Sequence, residues 1–222
     1  PRLQAATLAV FSAGIMMLRI FLILFLLCSG TVIAGAETIL LVGDSLSAAY
    51  GMPADAGWVA LLQRRLESEQ YPYQLVNASI SGDTSASARA RLPDALDRHR
   101  PDIVILQIGG NDGLRGLSLT ELKQNLADMI ERVTVRGSRC LLLGVHLPPN
   151  YGSHYTGKFH NIYHELAGET GAALVPSLVD GIGTRSEFMQ PDGIHPNREA
   201  QPVIAERVWT KLQPMLESLA AP

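Results

Sequence analysis

The stretch TILLVGDSLS, residues 38–47, decides the fold of this 222-residue chain. Its first five residues are apolar or β-branched with no polar alternation, which is typical of a strand buried on both faces of a parallel sheet. Gly43 permits a sharp exit from that strand, and Asp44 and Ser45 follow where a helix can begin. The serine is therefore placed at the end of a buried strand, where it can serve as a helix cap or as a nucleophile.

The rest of the chain alternates apolar runs with amphipathic patterns. Further strands are predicted at residues 73–78, 103–108, 139–145 and 172–175. Helices are predicted at residues 58–70, 84–99, 119–135, 159–170 and 197–219. This alternation predicts an α/β fold, a three-layer α/β/α sandwich around a five-stranded parallel sheet, flavodoxin-like in its arrangement. The sequence has no internal repeat and no second core, so we predict a single domain over residues 37–222.

Residues 1–36 have the order of a short upstream segment followed by a secretory signal peptide. A methionine pair at residues 16–17 precedes one arginine, the apolar run of residues 20–27 and a small-residue triplet that ends at Ala36. We expect cleavage after Ala36 and a periplasmic or secreted mature protein with no stable membrane anchor. The alternative, an uncleaved anchor, is disfavoured because the apolar run is short for a membrane span.

Composition and cysteine usage exclude some classes of partner and cofactor. The formal net charge is −3, and this mild acidity gives no indication of nucleic-acid binding. Cys140 is the one cysteine after residue 36, so no intrachain disulfide is available, and its apolar neighbours indicate a buried side chain. His160 and His164 have the i, i+4 spacing of a metal pair. No further ligand lies near them in sequence, so we interpret them as a solvated helix face and expect neither a metal nor a cofactor.

Small and polar residues follow three of the predicted strands, at residues 43–45, 79–84 and 109–112. The carboxyl ends of parallel strands meet at one edge of an open sheet, and ligands bind there. A serine hydroxyl needs a base before it can act as a nucleophile, and His195 suits that role because imidazole titrates near neutral pH. Asp192, three residues earlier, is close enough to fix the tautomer of the imidazole. We therefore predict Ser45, Asp192 and His195 as the catalytic residues.

Four sequence blocks resemble those of the GDSL, or SGNH, hydrolase family. They are GDSL at residues 43–46, SGD at residues 81–83, GGND at residues 109–112 and DGIHP at residues 192–196. The chain is most similar to the small bacterial branch known as acyl-CoA thioesterase I, arylesterase or lysophospholipase. The resemblance implies the SGNH hydrolase fold and a serine esterase that hydrolyses aryl esters, acyl-CoA thioesters and lysophospholipids through an acyl-enzyme. A small-molecule acyl ester or thioester is then the partner, and we expect a monomer.

The carbonyl oxygen of an attacked ester becomes an oxyanion that needs hydrogen-bond donors. We predict three donors: the backbone N–H groups of Ser45 and Gly82 and the side-chain amide of Asn111. The α/β-hydrolase fold also uses the order Ser, Asp, His. Its Gly-x-Ser-x-Gly motif fails here because Ser47 stands at the second glycine position, which argues against that fold.

Apolar residues near these blocks predict a groove for an acyl chain. They are Leu46, Leu114, Leu117, Leu147, Pro148 and Tyr151. We expect the loop at residues 113–118 to close over the acyl chain and the loop at residues 147–158 to form a wall. A carbohydrate O-deacetylase of the same family is the alternative enzyme, and it needs aromatic platforms and polar side chains instead. A non-enzymatic, flavodoxin-like ligand-binding module is the remaining alternative, but the chain has no glycine-rich phosphate loop.

Overall fold

The computed structural model describes residues 37–220 of the chain. The predicted signal peptide, its cleavage after Ala36 and residues 221–222 lie outside the described residues. The division into a removed segment and a single domain over residues 37–222 therefore stays a prediction. Within the described part, no helix combines the length and the apolar character needed to cross a bilayer.

Residues 37–220 form five strands and six α-helices, joined by turns and short 3₁₀ segments. The strands are β1 (Glu37–Gly43), β2 (Tyr73–Asn77), β3 (Ile103–Gln107), β4 (Arg139–Leu143) and β5 (Ala173–Val175). The helices are α1 (Trp58–Ser68), α2 (Ser85–His99), α3 (Gly110–Leu114), α4 (Leu119–Val135), α5 (Ser153–Thr170) and α6 (Gln201–Ala220).

All five strands run parallel, in the order β2-β1-β3-β4-β5. The predicted five-stranded parallel sheet is thereby confirmed. Strand β1 lies between β2 and β3, with Leu41 opposite Asn77 and Gly43 opposite Gln107. The strand order reverses between β1 and β3, so the chain leaves these two strands toward opposite faces of the sheet. A crevice opens at the carboxyl end of such a switch point, and Ser45 follows β1 there.

Helices cover both faces of the sheet, which explains why β1 shows no polar alternation. Ile39 and Leu41 face the layer that contains α1 and α6, whereas Leu40 and Val42 face the layer of α2, α4 and α5. All four side chains are fully buried. Burial of a side chain of this kind contributes roughly 1.5–3 kcal/mol. The strand that carries the serine is therefore among the most firmly held parts of the molecule.

Two local expectations are wrong. Helix α5 begins at Ser153 rather than at residue 159, so the predicted loop at residues 147–158 is a loop only in its first half. Residues 153–158 carry few apolar side chains and give no helical periodicity, but the Tyr155 hydroxyl is tied to the Gly113 carbonyl at 3.1 Å. The glycine-rich stretch at residues 110–114 forms the short helix α3 instead of a loop.

Candidate active site

The turn after β1 presents Ser45 at the carboxyl edge of the sheet. The backbone N–H of Ser47 donates to the Asp44 carbonyl at 3.2 Å, which closes the turn. A Cβ atom at Gly43 would lie 2.8 Å from the Ser79 hydroxyl and 2.9 Å from the Ser47 hydroxyl. Glycine suits this position because a larger residue would force the Ser79 and Ser47 side chains to move.

A buried polar network lies directly beneath this turn. Asp44, which is 1 % exposed, accepts hydrogen bonds at one carboxylate oxygen from the Leu46 N–H at 3.0 Å and the Gln107 side-chain amide at 3.1 Å. The Gln107 carbonyl oxygen accepts the Ser47 hydroxyl at 2.6 Å. Burial raises the pKa of Asp44 to about 6, although both hydrogen bonds lower it. The network ties the serine turn to the end of the neighbouring strand β3.

Ser45, His195 and Asp192 form a continuous chain of hydrogen bonds. The Ser45 hydroxyl lies 2.8 Å from Nε2 of His195, and Nδ1 of His195 lies 2.6 Å from Oδ2 of Asp192. The other carboxylate oxygen of Asp192 accepts the backbone N–H groups of Ile194 and His195 at 2.9 and 3.0 Å. The structure thus brings together the three predicted catalytic side chains.

The carboxylate of Asp192 is held in its charged form. Partial desolvation opposes ionisation, but hydrogen bonds from the backbone and ring of His195 and from the Ile194 N–H hold the pKa of Asp192 below its usual value. A charged carboxylate accepts a hydrogen bond from an Nδ1–H group of His195, and in that tautomer the lone pair of Nε2 faces the Ser45 hydroxyl. This arrangement can remove the serine proton.

The ring of Tyr50 and the backbone N–H of Gln190 hold His195 in place. The Tyr50 ring packs on the imidazole with centroids 4.4 Å apart and planes inclined by 33°. Gln190 donates its backbone N–H to the His195 carbonyl at 2.7 Å and its amide to the Tyr50 carbonyl at 2.8 Å. Sequence reasoning missed Tyr50, because its partner lies far along the chain and no local pattern marks the contact.

The three residues predicted to supply oxyanion donors, Ser45, Gly82 and Asn111, line one cavity. Gly82 adopts a positive φ of 83°, a conformation that favours glycine. Neither the N–H of Ser45 nor that of Gly82 donates a hydrogen bond to any group within residues 37–220. The Asn111 amide donates one hydrogen to the Asp83 carbonyl at 2.9 Å and has a second hydrogen to offer.

Arg115, which sequence reasoning also missed, fixes the orientation of the Asn111 amide. The Arg115 guanidinium donates to the Gly82 carbonyl at 3.0 Å and to the Asn111 side-chain oxygen at 3.5 Å. Because the guanidinium has only donors, it selects the rotamer that turns the amide oxygen toward itself. The amide nitrogen is then directed away from Arg115, toward Asp83 and the cavity.

A cavity of about 630 Å³ opens beside Ser45 and contains most of the predicted substrate residues. Leu46, Leu114, Leu147 and Pro148 line it. Leu117 and Tyr151, the two other predicted substrate residues, are not among the residues that line it. Leu117 is 43 % exposed at the end of its loop, and the Tyr151 hydroxyl donates to the Leu114 carbonyl at 3.0 Å.

One wall of the cavity comes from the segment after β5, which sequence reasoning treated as a plain connection. Its lining residues are Val179, Asp180, Gly181, Gly183, Thr184 and Met189. The segment follows the carboxyl end of a parallel strand, as do the other loops of the site. Its position after a parallel strand could therefore have predicted that this segment borders the site.

The aspartates of the SGD and GGND blocks, Asp83 and Asp112, hold the loops of the site together. Asp112 is buried and accepts the Ser85 N–H at 2.8 Å and the Ser85 hydroxyl at 2.6 Å. Asp83 pairs with Arg91 at 2.7 Å. These contacts tie the start of α2 to α3 and hold the turn that contains Gly82.

Within residues 37–220, no group of three or more histidine, cysteine, aspartate or glutamate side chains is placed to hold a metal ion. Burial raises the pKa of the Cys140 thiol to about 12, so it stays protonated and unreactive inside the core.

The arrangement suits acyl transfer to water. A serine oxygen beside a neutral imidazole can attack a carbonyl carbon, and unpaired N–H groups at the same edge can stabilise the negative charge that develops. A parallel α/β sheet with this chemistry at the end of its first strand defines the class of ester hydrolases.

The chain belongs to the GDSL-like Lipase/Acylhydrolase family, whose sequence model matches residues 41–201. It is 51% identical over 183 residues to Esterase TesA of Pseudomonas aeruginosa, an alignment that covers 82% of this chain and 91% of that protein. It is 44% identical over 183 residues to Thioesterase 1/protease 1/lysophospholipase L1 of Escherichia coli, covering 82% of this chain and 86% of that protein.

A solved structure shows the same fold. The psychrotrophic esterase EstA from Pseudoalteromonas sp., inhibited by monoethylphosphonate, superposes with a TM-score of 0.77 at 37% identity. The match covers 82% of this chain and 99% of that chain. The predicted family and SGNH hydrolase fold are confirmed, and the chain is an ester hydrolase of this family.

Proposed function

We propose that this ester hydrolase acts on acyl esters and thioesters, including aryl esters, acyl-CoA thioesters and lysophospholipids, through an acyl-enzyme on Ser45. The observation that carries the proposal is the chain of hydrogen bonds from Ser45 through His195 to Asp192, with links of 2.8 and 2.6 Å. The names of the two similar proteins, an esterase and a thioesterase/protease/lysophospholipase, support this range of substrates.

Acylation begins when Nε2 of His195 takes the hydroxyl proton of Ser45 and the serine oxygen attacks the carbonyl carbon. The charged carboxylate of Asp192 stabilises the imidazolium that forms. Collapse of the tetrahedral intermediate breaks the bond to the leaving group, which takes the proton from His195. Deacylation repeats the sequence with water as the nucleophile and returns the proton to Ser45.

The N–H groups of Ser45 and Gly82 and the Asn111 amide donate hydrogen bonds to the negatively charged oxygen of the tetrahedral intermediate. The two backbone donors have no other acceptor within residues 37–220, so they cost no internal hydrogen bond when they bind the oxyanion. Arg115 holds the amide in the required rotamer. One such donor is typically worth ~10²–10³ in rate.

The cavity supports an acyl substrate over a carbohydrate one. Aliphatic side chains border the space next to Ser45, including Leu46, Leu114 and Leu147. A sugar needs aromatic platforms, but Tyr50, the one Phe, Tyr or Trp among the lining residues, packs on His195. Each methylene buried in this space would contribute about 0.8 kcal/mol, so selectivity rises with acyl length until the cavity is full.

The proposal also includes export of the protein from the cytoplasm and a monomeric state. The apolar run of residues 20–27 and the small residues before Glu37 support cleavage after Ala36 and a periplasmic or secreted protein. N-terminal sequencing of the protein from a periplasmic fraction tests the cleavage, and retention of Met16 or Met17 in membranes would contradict it. Light scattering on the purified protein tests the monomer.

The substrate range is tested by kcat/KM over a series of acyl lengths for p-nitrophenyl esters, acyl-CoAs and lysophospholipids, with acetylated xylo-oligosaccharides as the competing class. We expect a rise with chain length followed by a plateau, and weak turnover of the acetylated sugars. Faster hydrolysis of the acetylated sugars than of the longer acyl esters would favour the O-deacetylase instead. Labelling by a fluorophosphonate probe reports the serine independently of the substrate.

A further inference from the structure

Three histidine rings lie side by side where the end of β4 meets α5. The rings of His146 and His160 have centroids 4.0 Å apart, and those of His160 and His164 have centroids 4.9 Å apart. His146 lines the cavity, so the cluster begins at the cavity wall and runs outward along the helix. The proposed hydrolysis uses His195 and leaves these three rings without a role.

The nitrogen atoms of the outer pair face each other. Nε2 of His160 lies 3.2 Å from Nε2 of His164. The i, i+4 spacing places both side chains on one face of the helix. Two imidazole nitrogens on one tetrahedral Zn²⁺ ion, each bonded at about 2.0–2.1 Å, lie roughly 3.3 Å apart. The two Nε2 atoms therefore have the separation of two ligands on one ion. Without an ion, a hydrogen bond joins them.

The two ring nitrogens of His160 have different surroundings. Nδ1 of His160 is buried and makes no regular hydrogen bond within residues 37–220, although the backbone of Val145 interacts with the ring. Metal-binding histidines commonly direct one nitrogen at a backbone carbonyl and the other at the ion. Here the inward nitrogen is Nδ1, which leaves Nε2 as the ligand atom.

A carboxylate lies near the inner end of the cluster. Asp180, which lines the same cavity as His146, places a negative charge near His146 and His160. A metal needs the lone pair of a neutral ring, and the nearby carboxylate favours the positive charge of the ion.

We propose that His160 and His164 form a two-histidine binding site for a borderline divalent transition ion such as Zn²⁺ or Ni²⁺. Imidazole suits these ions, and water completes the coordination shell because no third protein ligand is placed with the pair among the described residues. Such a site exchanges its ion readily.

Isothermal titration of ZnCl₂ into the purified protein at pH 7.5, in a buffer that does not chelate metals, tests the proposal. We expect one ion bound per chain. His164→Gln and His160→Asn should each weaken binding at least about tenfold, which equals about 1.4 kcal/mol. His154→Gln, which removes another exposed histidine from the same helix, is the matched control and should bind as the wild type does.

A second readout distinguishes lost ligands from lost structure. Zn²⁺ should raise the melting temperature of the wild type and of His154→Gln but not of His164→Gln, while the three proteins melt alike without metal. Nitrogen NMR should show the Nε2 signals of His160 and His164 moving on titration. Undiminished binding in the double variant of His160 and His164, or no binding by the wild type, would overturn the proposal.

Discussion

Replacing Asp44 by asparagine tests what the buried charge beneath Ser45 does to stability. Burial raises the pKa of Asp44 from its usual 3.8 to about 6. Between these two pH values the folded protein keeps a proton on Asp44 that the unfolded chain has released. The contribution of this proton to the free energy of unfolding is complete below pH 3.8 and is lost as the pH rises through 6. At about 1.4 kcal/mol per pKa unit, the wild type loses about 3 kcal/mol of unfolding free energy over this range.

The asparagine variant removes the titration but keeps the hydrogen bonds. The N–H of Leu46 and the amide of Gln107 both donate to the same oxygen of Asp44, and asparagine supplies an acceptor oxygen at that position. We therefore expect the stability of Asp44→Asn, relative to the wild type, to increase by roughly 2–3 kcal/mol between pH 4 and pH 7.5.

Urea unfolding followed by circular dichroism at several pH values measures this difference. Asp55→Asn is the control. Asp55 is exposed, so the stability difference between this variant and the wild type should not change with pH. Titrations elsewhere in the molecule cancel when variant and wild type are subtracted. A difference that does not change between pH 4 and pH 7.5 would refute the argument that burial governs the ionisation of Asp44.

The remaining predictions concern the reaction and its specificity. Ser45→Ala should abolish esterase turnover and fluorophosphonate labelling with little change in melting temperature; substantial residual turnover would remove Ser45 from the role of nucleophile. Asn111→Ala should lower kcat and kcat/KM together by ~10²-fold or more, and a change in KM alone would mean that the amide only positions substrate. Leu114→Ser should flatten the preference for long acyl chains and barely change acetate turnover, whereas Leu117→Ser, outside the cavity, should leave the profile intact. Equal losses at all chain lengths in Leu114→Ser would place the acyl chain elsewhere.

The fold and the central residues could be predicted because their signals are local. The run in β1 is uninterrupted by polar residues since helices cover both of its faces, and five such runs alternate with helical patterns. Asp192 and His195 are three residues apart in one turn, so their contact follows from spacing. Ser45 follows a strand end, which places it at the edge where the other loops converge.

The other parts of the site could not be predicted because they depend on contacts between residues far apart in the sequence. Gln107 binds Asp44 from 63 positions away, and in the sequence it is simply the polar end of a buried strand. Tyr50 packs on His195, although its own neighbourhood reads as a turn. Residues 153–158 join helix α5 without an apolar stripe, because helix propagation and tertiary contacts extend the helix beyond what periodicity marks.

The long separation between Ser45 and His195 has a consequence during biosynthesis. The two residues that share the 2.8 Å hydrogen bond are 150 positions apart. A ribosome that adds 5–20 residues per second needs roughly 8–30 s to make that stretch. Throughout this interval the nascent chain contains its nucleophile but not the proposed base. The complete set of Ser45, Asp192 and His195 therefore exists only after His195 has been made, and prematurely terminated chains that stop before Asp192 lack both the proposed base and its carboxylate partner.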